Sequence, residues 1–386
     1  MGAQKANKCG QMREAKHRKL YELLKAEILG GKYGVAGAFP SEAQLARRCG
    51  CSRITVRKAL DELRHESLIR CRQGRATVVT ERAAVKTFGL ILPGVSRYEY
   101  FQPIATELTR IAQANHCAFL FANIDTMEPA QLRHNVRDLA ADFIKRHVSG
   151  VVYHPMEFMS DDDTTNIDIV SVFARAKIPV VLLDSDVVLP PARGGFDVVS
   201  IDNALAAESL AAHLLQSGAR TVGIIMLPRM FPNMMERVRG VANAVMLAGR
   251  PWSKAHVLLA EPTDLKAIRA FMRRRPRPDA FVCQNDALAA DFAASLKALG
   301  YSIPDDVMIA GFDGMDISRV MTPALTTIQQ PYAEIAHAVF ETLIRRHRFA
   351  QCPPMRIFLP EKLVVRASTQ RRRAGDCVKP KKGTKD

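Results

Sequence analysis

From Lys86 to about residue 369 the chain alternates short apolar runs with amphipathic stretches, and that alternation leaves few folds open. Nine runs read as strands: Phe88–Leu92, Ala118–Ala122, Val151–Tyr153, Val180–Leu183, Val198–Ile201, Val222–Met226, Val257–Ala260, Phe281–Cys283 and Val307–Ala310. Most are separated by stretches of about 10 to 17 residues with helical periodicity. Strand, crossover helix and strand in succession require mainly parallel sheets with helices on both faces. About 280 residues of this pattern exceed one sheet, so two doubly wound sheets, hence two lobes with a cleft between them, are expected. In such folds ligands sit at the carboxyl ends of the strands.

The residues before Lys86 follow a different pattern. RKLYELLKAEIL, residues 18–29, sets Leu20, Leu23, Leu24 and Ile28 on one helical stripe. Pro40-Ser41-Glu42-Ala43-Gln44 opens a second helix, with Ser41 at its N-cap and Gln44 three residues on, the spacing of a capping box. That helix ends at Gly50, and Ser52 caps a third. At 100° per residue Val56, Ala59, Leu60 and Leu63 share one arc and belong to a core, which leaves Arg53, Ile54, Thr55, Arg57 and Lys58 on the other side. Helix, short glycine-containing turn, and helix with an exposed basic start form the helix-turn-helix pattern. Two further runs, Leu68–Arg72 and Ala76–Thr80, joined through Gln73-Gly74-Arg75, add a wing.

Charge separates the same two regions. Of 55 Lys/Arg and 39 Asp/Glu in the chain, residues 1–86 hold 19 and 8, residues 370–386 hold 7 and 2, and residues 87–369 hold 29 of each. A net charge of +11 concentrated in one small domain is the footprint of a polyanionic partner. Guanidinium forks at Arg53 and Arg57 suit phosphate oxygens or the O6/N7 edge of guanine.

FPSEAQLARRCGCSRITVRKALDELRHESLIRCRQGRATVV closely resembles the winged helix of GntR-type bacterial transcription regulators over about 70 residues. The resemblance rests on the P-S-E-x-x-L-A opening, the S-R-x-T-V-R-x-A-L helix and the G-x-x-T-x-V wing, and it implies contacts to operator DNA from Ser52, Arg53, Thr55, Arg57 and Gly74. Ser41, Ile54, Lys58, Gln73 and Arg75 complete the expected DNA-facing set. The sequence departs from that family at Ala43, where a longer polar or basic residue is frequent, and at Ile54, where a polar one is.

Residues 87–369 resemble the sensor domain of LacI/GalR-type regulators, which is related to periplasmic sugar-binding proteins. Seven landmarks occur in order: FGLILPGVSRYEYF, IPVVLLDSD, VSIDNALAAESLAAHLLQSGARTVGII, ERVRGVANAV, PDAFVCQNDALAADFAASLKALGYSIPDDVMIAGFDGMDIS, PALTTIQQP and LVVRAST. A GntR-type winged helix fused to such a sensor resembles the arabinose-repressor subgroup. The resemblance implies an effector site formed by Tyr100, Phe101, Asp184, Asp186, Arg237, Asn285, Asp313 and Gln330, with aromatic faces for a sugar or purine ring and Asp, Asn and Arg for hydroxyls. Asp313 and Asn285 also admit a second reading as helix caps, and Tyr100 and Phe101 one as core. Ser185 stands where an arginine often follows the aspartate, which leaves the ligand's identity open.

The expected fold class is α/β: a two-lobed, periplasmic-binding-protein-like sensor with two doubly wound parallel sheets, preceded by a small α+β winged helix-turn-helix domain. Its expected parts are the DNA-binding domain at 12–82, a linker at 83–87, a sensing and dimerisation domain at 88–369, and a basic disordered tail at 370–386. The eight cysteines form no paired framework, and Cys49-Gly50-Cys51 lacks zinc spacing, so neither a metal nor a cofactor is expected. No apolar run reaches the roughly 18 residues that span a bilayer, and the first 20 residues lack a signal peptide's apolar segment. Nucleotide-binding, hydrolase and metalloprotease motifs are absent, which argues against an enzyme. The expected function is therefore a cytoplasmic bacterial repressor, a homodimer on palindromic operator DNA, controlled by a sugar or polyol. The alternatives are a large domain that only dimerises or binds a non-sugar effector such as a purine, and, more remotely, a solute-binding protein.

Overall fold

The computed structural model describes residues 17–371 apart from 26, 29–31, 34–38, 67, 71–76, 81–85, 93–99, 122–127, 159, 161–162, 229–230 and 350. The chain divides into two compact units, residues up to Thr87 together with Asn115–Ala118, and Phe88–Ala114 with Phe119 onward.

The first unit is built on three helices. Helix α1 is helical over 17–25 and, with Ile28 beyond it, buries Leu20, Tyr21 and Leu24. Helix α2 (Glu42–Cys49) carries the capping box: the Gln44 amide donates to Ser41 Oγ at 3.3 Å, and the Ser41 amide donates to Gln44 Oε1 at 2.8 Å. Gly50, at φ 58°, ends it in the left-handed conformation that glycine adopts without strain. Helix α3 (Arg53–His65) starts from Ser52, whose Oγ accepts from the Thr55 amide at 3.2 Å. Val56, Ala59, Leu60 and Leu63 are buried against Leu24, Leu45 and Val79 in one core. Strands β1 (Ile69–Arg70) and β2 (Val78–Val79) pair antiparallel, Ile69 with Val79 and Arg70 with Val78. They are shorter than the expected wing runs, and the wing tip with Gln73, Gly74 and Arg75 lies outside the described residues.

The second unit holds two six-stranded sheets. The chain first lays down β3 (Lys86–Ile91), α4 (Phe101–Ala114), β4 (Cys117–Phe121), α5 (Pro129–Lys145), β5 (Val151–Tyr153), α6 (Thr165–Arg175), β6 (Val180–Leu183) and β7 (Asp197–Ile201). It then builds the other lobe from α7 (Asn203–Gln216), β8 (Val222–Met226), α8 (Pro232–Leu247), β9 (Val257–Leu259), α9 (Leu265–Met272), β10 (Ala280–Cys283), α10 (Asp286–Ala298), β11 (Met308–Asp313), the short α11 (Ile317–Val320) and β12 (Thr326–Gln329). Helix α12 (Tyr332–Arg348) returns to the first lobe and packs on α4, β13 (Arg356–Leu359) joins β7 there, and β14 (Lys362–Val364) pairs with β12 in the second. Sheet orders are β13-β7-β6-β5-β3-β4 and β14-β12-β11-β10-β8-β9. The backbone thus crosses between lobes three times, after β7, after β12 and after β13.

Each lobe has its own core. Tyr153, Phe143, Phe173 and Val198 fill the first, and Phe271, Phe281, Phe292 and Ile309 the second. All nine expected strands are present, with shifted ends at several; Lys86 and Thr87, expected in the linker, already belong to β3. Three strands were not foreseen. β13 and β14 are sheet-edge strands, half exposed and mixed in polarity, and so lack an apolar run. β12 is buried but reads Thr-Thr-Ile-Gln, its hydroxyls being satisfied internally: Thr327 Oγ1 donates to Asp286 Oδ1 at 2.6 Å. The start expected for the tail is also corrected, because Arg371 donates to the backbone oxygens of Asp279 and Pro304 at 3.1 and 3.2 Å. Residues 372–386 lie outside the described residues. Among the described residues no helix is long and apolar enough to cross a membrane.

Candidate functional site

On the first unit the α3 N-terminus presents a row of exposed side chains. Ser52 Oγ and Thr55 Oγ1 lie 2.9 Å apart within the cap, Ser52 exposed and Thr55 half-buried. Ile54 is 71% exposed. Arg53 and Lys58 are exposed and make no ion pair among the described residues, whereas Arg57 reaches back across the turn to Glu42, Nη2 to Oε2 at 3.1 Å. This pair is solvent-exposed and therefore weak, so Arg57 is free to exchange it for a phosphate. Ser41 lies at the start of α2, exposed in its capping box.

Within the second unit a cavity opens between the lobes. Its first-lobe wall is Tyr100, Phe101, His154 and Asp184; its second-lobe wall includes Phe231, Asn233, Arg237, Asn285 and Asp313. These side chains sit at strand ends or helix starts: Asp184 after β6, His154 after β5, Asp313 closing β11, Asn285 after β10. Both carboxylates rest on left-handed backbone, φ 65° for Asp184 and 97° for Asp313. Such conformations cost roughly 1–3 kcal/mol each and persist where packing imposes them.

Arg237 is the hub. It is 2% exposed on α8, and Gly240, one turn later, lets α8 approach α7 so closely that a Cβ would fall 2.0 Å from the Ala204 carbonyl oxygen. At that distance Arg237 Nε donates to Asn203 Oδ1 at 2.8 Å, and Nη1 donates to the Gln284 carbonyl. The guanidinium lies 4.0 Å from the Phe312 ring centre, and Nη2 stands 3.8 Å from Asp313 Oδ1. Asp313 also accepts from Gln330 Nε2 at 2.8 Å. Burial pushes the Asp313 carboxyl up to about 6, with Arg237 and Gln330 opposing it and Asp184 adding to it. Asp184 is buried too, which acts upward, but the His154 imidazole, Arg237 and Ser200 outweigh burial and hold it below its ordinary value. One carboxylate thus stays charged while the other is poised to take a proton.

Of the expected effector residues, Tyr100, Phe101, Asp184, Arg237, Asn285 and Asp313 converge on the cavity. Asn285 lines the cavity and also caps α10, accepting from the Leu288 amide at 2.8 Å. Gln330 stands behind Asp313 rather than on the wall. Asp186 does not reach the cavity: its side chain turns away, pairs with Arg356 and accepts from the amides of Val187 and Gly194 at 2.7 and 3.1 Å. Sequence reasoning missed His154, Phe231 and Asn233. His154 lies 4.6 Å ring-to-ring from Phe101 and 6.0 Å from Phe231. Its signal was available: a polar residue following a buried apolar strand at the carboxyl end of a parallel sheet. Asn233 Nδ2 donates across the cleft to Asp184 Oδ2 at 2.6 Å. Tyr100 Oη and Asn233 Oδ1 are buried without a partner. Aromatic faces, a charged acceptor, a fixed guanidinium and two unpartnered polar atoms form the donor-acceptor set of a polyol site. Among the described residues no cluster of side chains could hold a metal ion.

Comparison with known proteins agrees with this division. Residues 16–79 match the family described as bacterial regulatory proteins, gntR family, and residues 211–369 match a periplasmic binding protein-like domain. The arabinose metabolism transcriptional repressor of Geobacillus stearothermophilus is 26% identical over 372 residues, which cover 92% of this chain and 98% of that protein. The ribose operon repressor of Halalkalibacterium halodurans is also 26% identical, over 73% of this chain and 79% of its own length. Among solved structures, a transcriptional regulator CelR–cellobiose complex superposes with a TM-score of 0.64 at 19% identity, covering 86% of this chain and all of that one, which supports the fold.

Proposed function

The chain joins a gntR-family DNA-binding domain to a periplasmic binding protein-like domain, and from that premise we infer that it is a transcription repressor controlled by a small molecule held between the lobes. It acts as a dimer in the cytoplasm, presenting two winged helices to the half-sites of a palindromic operator, and it catalyses no reaction. The effector is a sugar or polyol. The observation that carries this reading is the buried Asp184–Arg237–Asp313 constellation facing Phe101 and Phe231 across one interlobe cavity. Support also comes from the relatives, named as repressors of arabinose metabolism and of a ribose operon, and from the cellobiose-bound structural neighbour.

Each contact has a physical role. The aromatic rings cover the apolar face of a pyranose or furanose; Asp184 and Asp313 accept from its hydroxyls; Arg237 donates to a ring or hydroxyl oxygen. Because the ligand touches both lobes, it favours the closed arrangement, and operator affinity and effector affinity are reciprocally coupled. A thermal-shift panel of pentoses, hexoses and purines, followed by operator gel shifts with the best binder, tests the reading. A sugar that raises the melting temperature and changes operator affinity is expected. A purine that does so instead would redefine the effector, and no response to any of them would leave the large domain as a dimerisation module.

A further inference from the structure

A second cavity shares the hydrogen-bonded pair Asn233 and Asp184 with the effector cleft. The first lobe supplies Ser185, Arg193 and Arg356 to it, and α8 supplies Asn233, Glu236 and Arg239. Three guanidinium groups therefore surround one space. Arg356 is committed to Asp186, whose other oxygen is taken by two backbone amides, so the Asp186 charge is already neutralised. Arg193 and Arg239 make no ion pair among the described residues. Helix α8 opens into the same space: Pro232 and Asn233 of its first turn line the cavity, its N-cap Phe231 offers no side-chain acceptor, and no acidic residue occupies that turn. The positive end of a 16-residue helix is thus uncompensated there. Ser185, 2% exposed, keeps a buried hydroxyl with no partner on the same wall. Glu236 opposes an anion less than its type suggests, since burial pushes its carboxyl above the usual range, against Arg239 and Arg356.

We propose that this cavity receives the carboxylate of a sugar acid whose neutral ring occupies the effector cleft, with Arg193, Arg239, the α8 N-terminus and Ser185 Oγ as its donors. The proposal rests on the effector reading above and narrows it to uronates. The ligand breaks the Asn233–Asp184 bond and replaces it with its own hydroxyls on those two side chains. A singly charged carboxylate suits two uncommitted guanidinium groups beside the charged Asp184 better than a doubly charged phosphate does.

The test is calorimetric titration of the full-length chain with D-galacturonate and D-glucuronate, each beside its parent hexose and that hexose's 6-phosphate. A uronate should bind about tenfold or more tighter than its parent, the scale of one or two charge-assisted hydrogen bonds. Arg193→Gln/Arg239→Gln, on a surface away from the cleft wall, should abolish that advantage and leave binding of the neutral sugar unchanged. A uronate preference that survives the double variant overturns the proposal, as does tightest binding of a 6-phosphate. A neutral sugar that binds with no uronate advantage removes this site and leaves the effector reading standing. Binding of no sugar, neutral or acidic, removes both.

Discussion

In the winged-helix unit the functional candidates stand outside the core, and in the two-lobed unit they stand inside it. Val56, Leu60 and Leu63 hold α3 by apolar burial alone, so Arg53, Ile54 and Lys58 on the opposite arc carry no structural duty and face water. Arg237, Asp184 and Asp313 do structural and recognition work with the same atoms, each engaged by neighbours that also fix its place. The difference predicts two kinds of sensitivity. Exposed charges are screened by salt over about 8 Å at physiological ionic strength; buried ones are not, but they respond to pH and to the loss of any partner.

The sharpest test of the contrast is Arg237→Ala. It leaves Asp313, Asn203 and the Gln284 carbonyl short of a buried donor, which costs about 3–5 kcal/mol. The effector response should fall 100-fold or more, and the large unit should melt earlier, while the isolated winged helix is untouched. The milder Arg237→Lys keeps the charge without the fork, and its effector response should still be strongly reduced if orientation matters.

Next in size is the proton at Asp313. Its carboxyl titrates at about 6 in the folded chain against an ordinary value near 4, so ionising it costs the folded state about 3 kcal/mol. The stability it contributes is complete below about pH 4 and is lost as pH rises through about 6. Asp313→Asn removes that titration, so its melting temperature relative to wild type should rise between pH 4.5 and 7. A difference that stays flat across this range would mean that Asp313 is ionised throughout, as an exposed aspartate would be.

Smaller effects belong to the outer surface. Arg53→Ala and Arg57→Ala should each cost about 1–3 kcal/mol of operator affinity and reduce its salt dependence, with the effector's melting shift unchanged. Arg57 also tests the Glu42 pair: Glu42→Gln releases the guanidinium and should tighten operator binding slightly, where a structural role would weaken it. The smallest change is expected from ending the chain after Arg371, which should lower affinity for operator and random DNA alike by a factor that shrinks as salt rises.

The same contrast explains what was legible in the sequence. In the winged helix each signal is local: Ser41 and Gln44 sit three residues apart, and α3's two faces separate at helical spacing. Nearly all of it could be read from residues 39–66. In the large unit the strands of unbroken apolar character were legible because burial on both faces leaves no alternation, while Asp184, Asn285 and Asp313 were named through the family resemblance. What escaped is non-local. β13 and β14 acquire a partner from more than a hundred residues and about 35 residues away, respectively, and neither run is apolar enough to announce itself. Asp186 stands two residues from Asp184 and shares its chemistry, yet Arg356 draws it out of the cleft, and that pairing spans 170 positions. Asn233 became visible only once two lobes faced each other, through its bond to Asp184.

The three crossings also set a timetable for synthesis. The first lobe is not a continuous piece of chain: its sheet ends at β7 until β13 arrives, and α4 waits for α12. Between the emergence of Ile201 and that of Leu359 the ribosome must translate all of the second lobe except β14 and the residues that follow it, a delay on the order of 10–30 s. During that interval β7, buried along its whole length in the finished fold, has a bare edge. A nascent chain arrested anywhere in this window should therefore be held by chaperones, and neither lobe can be released intact by a single proteolytic cut.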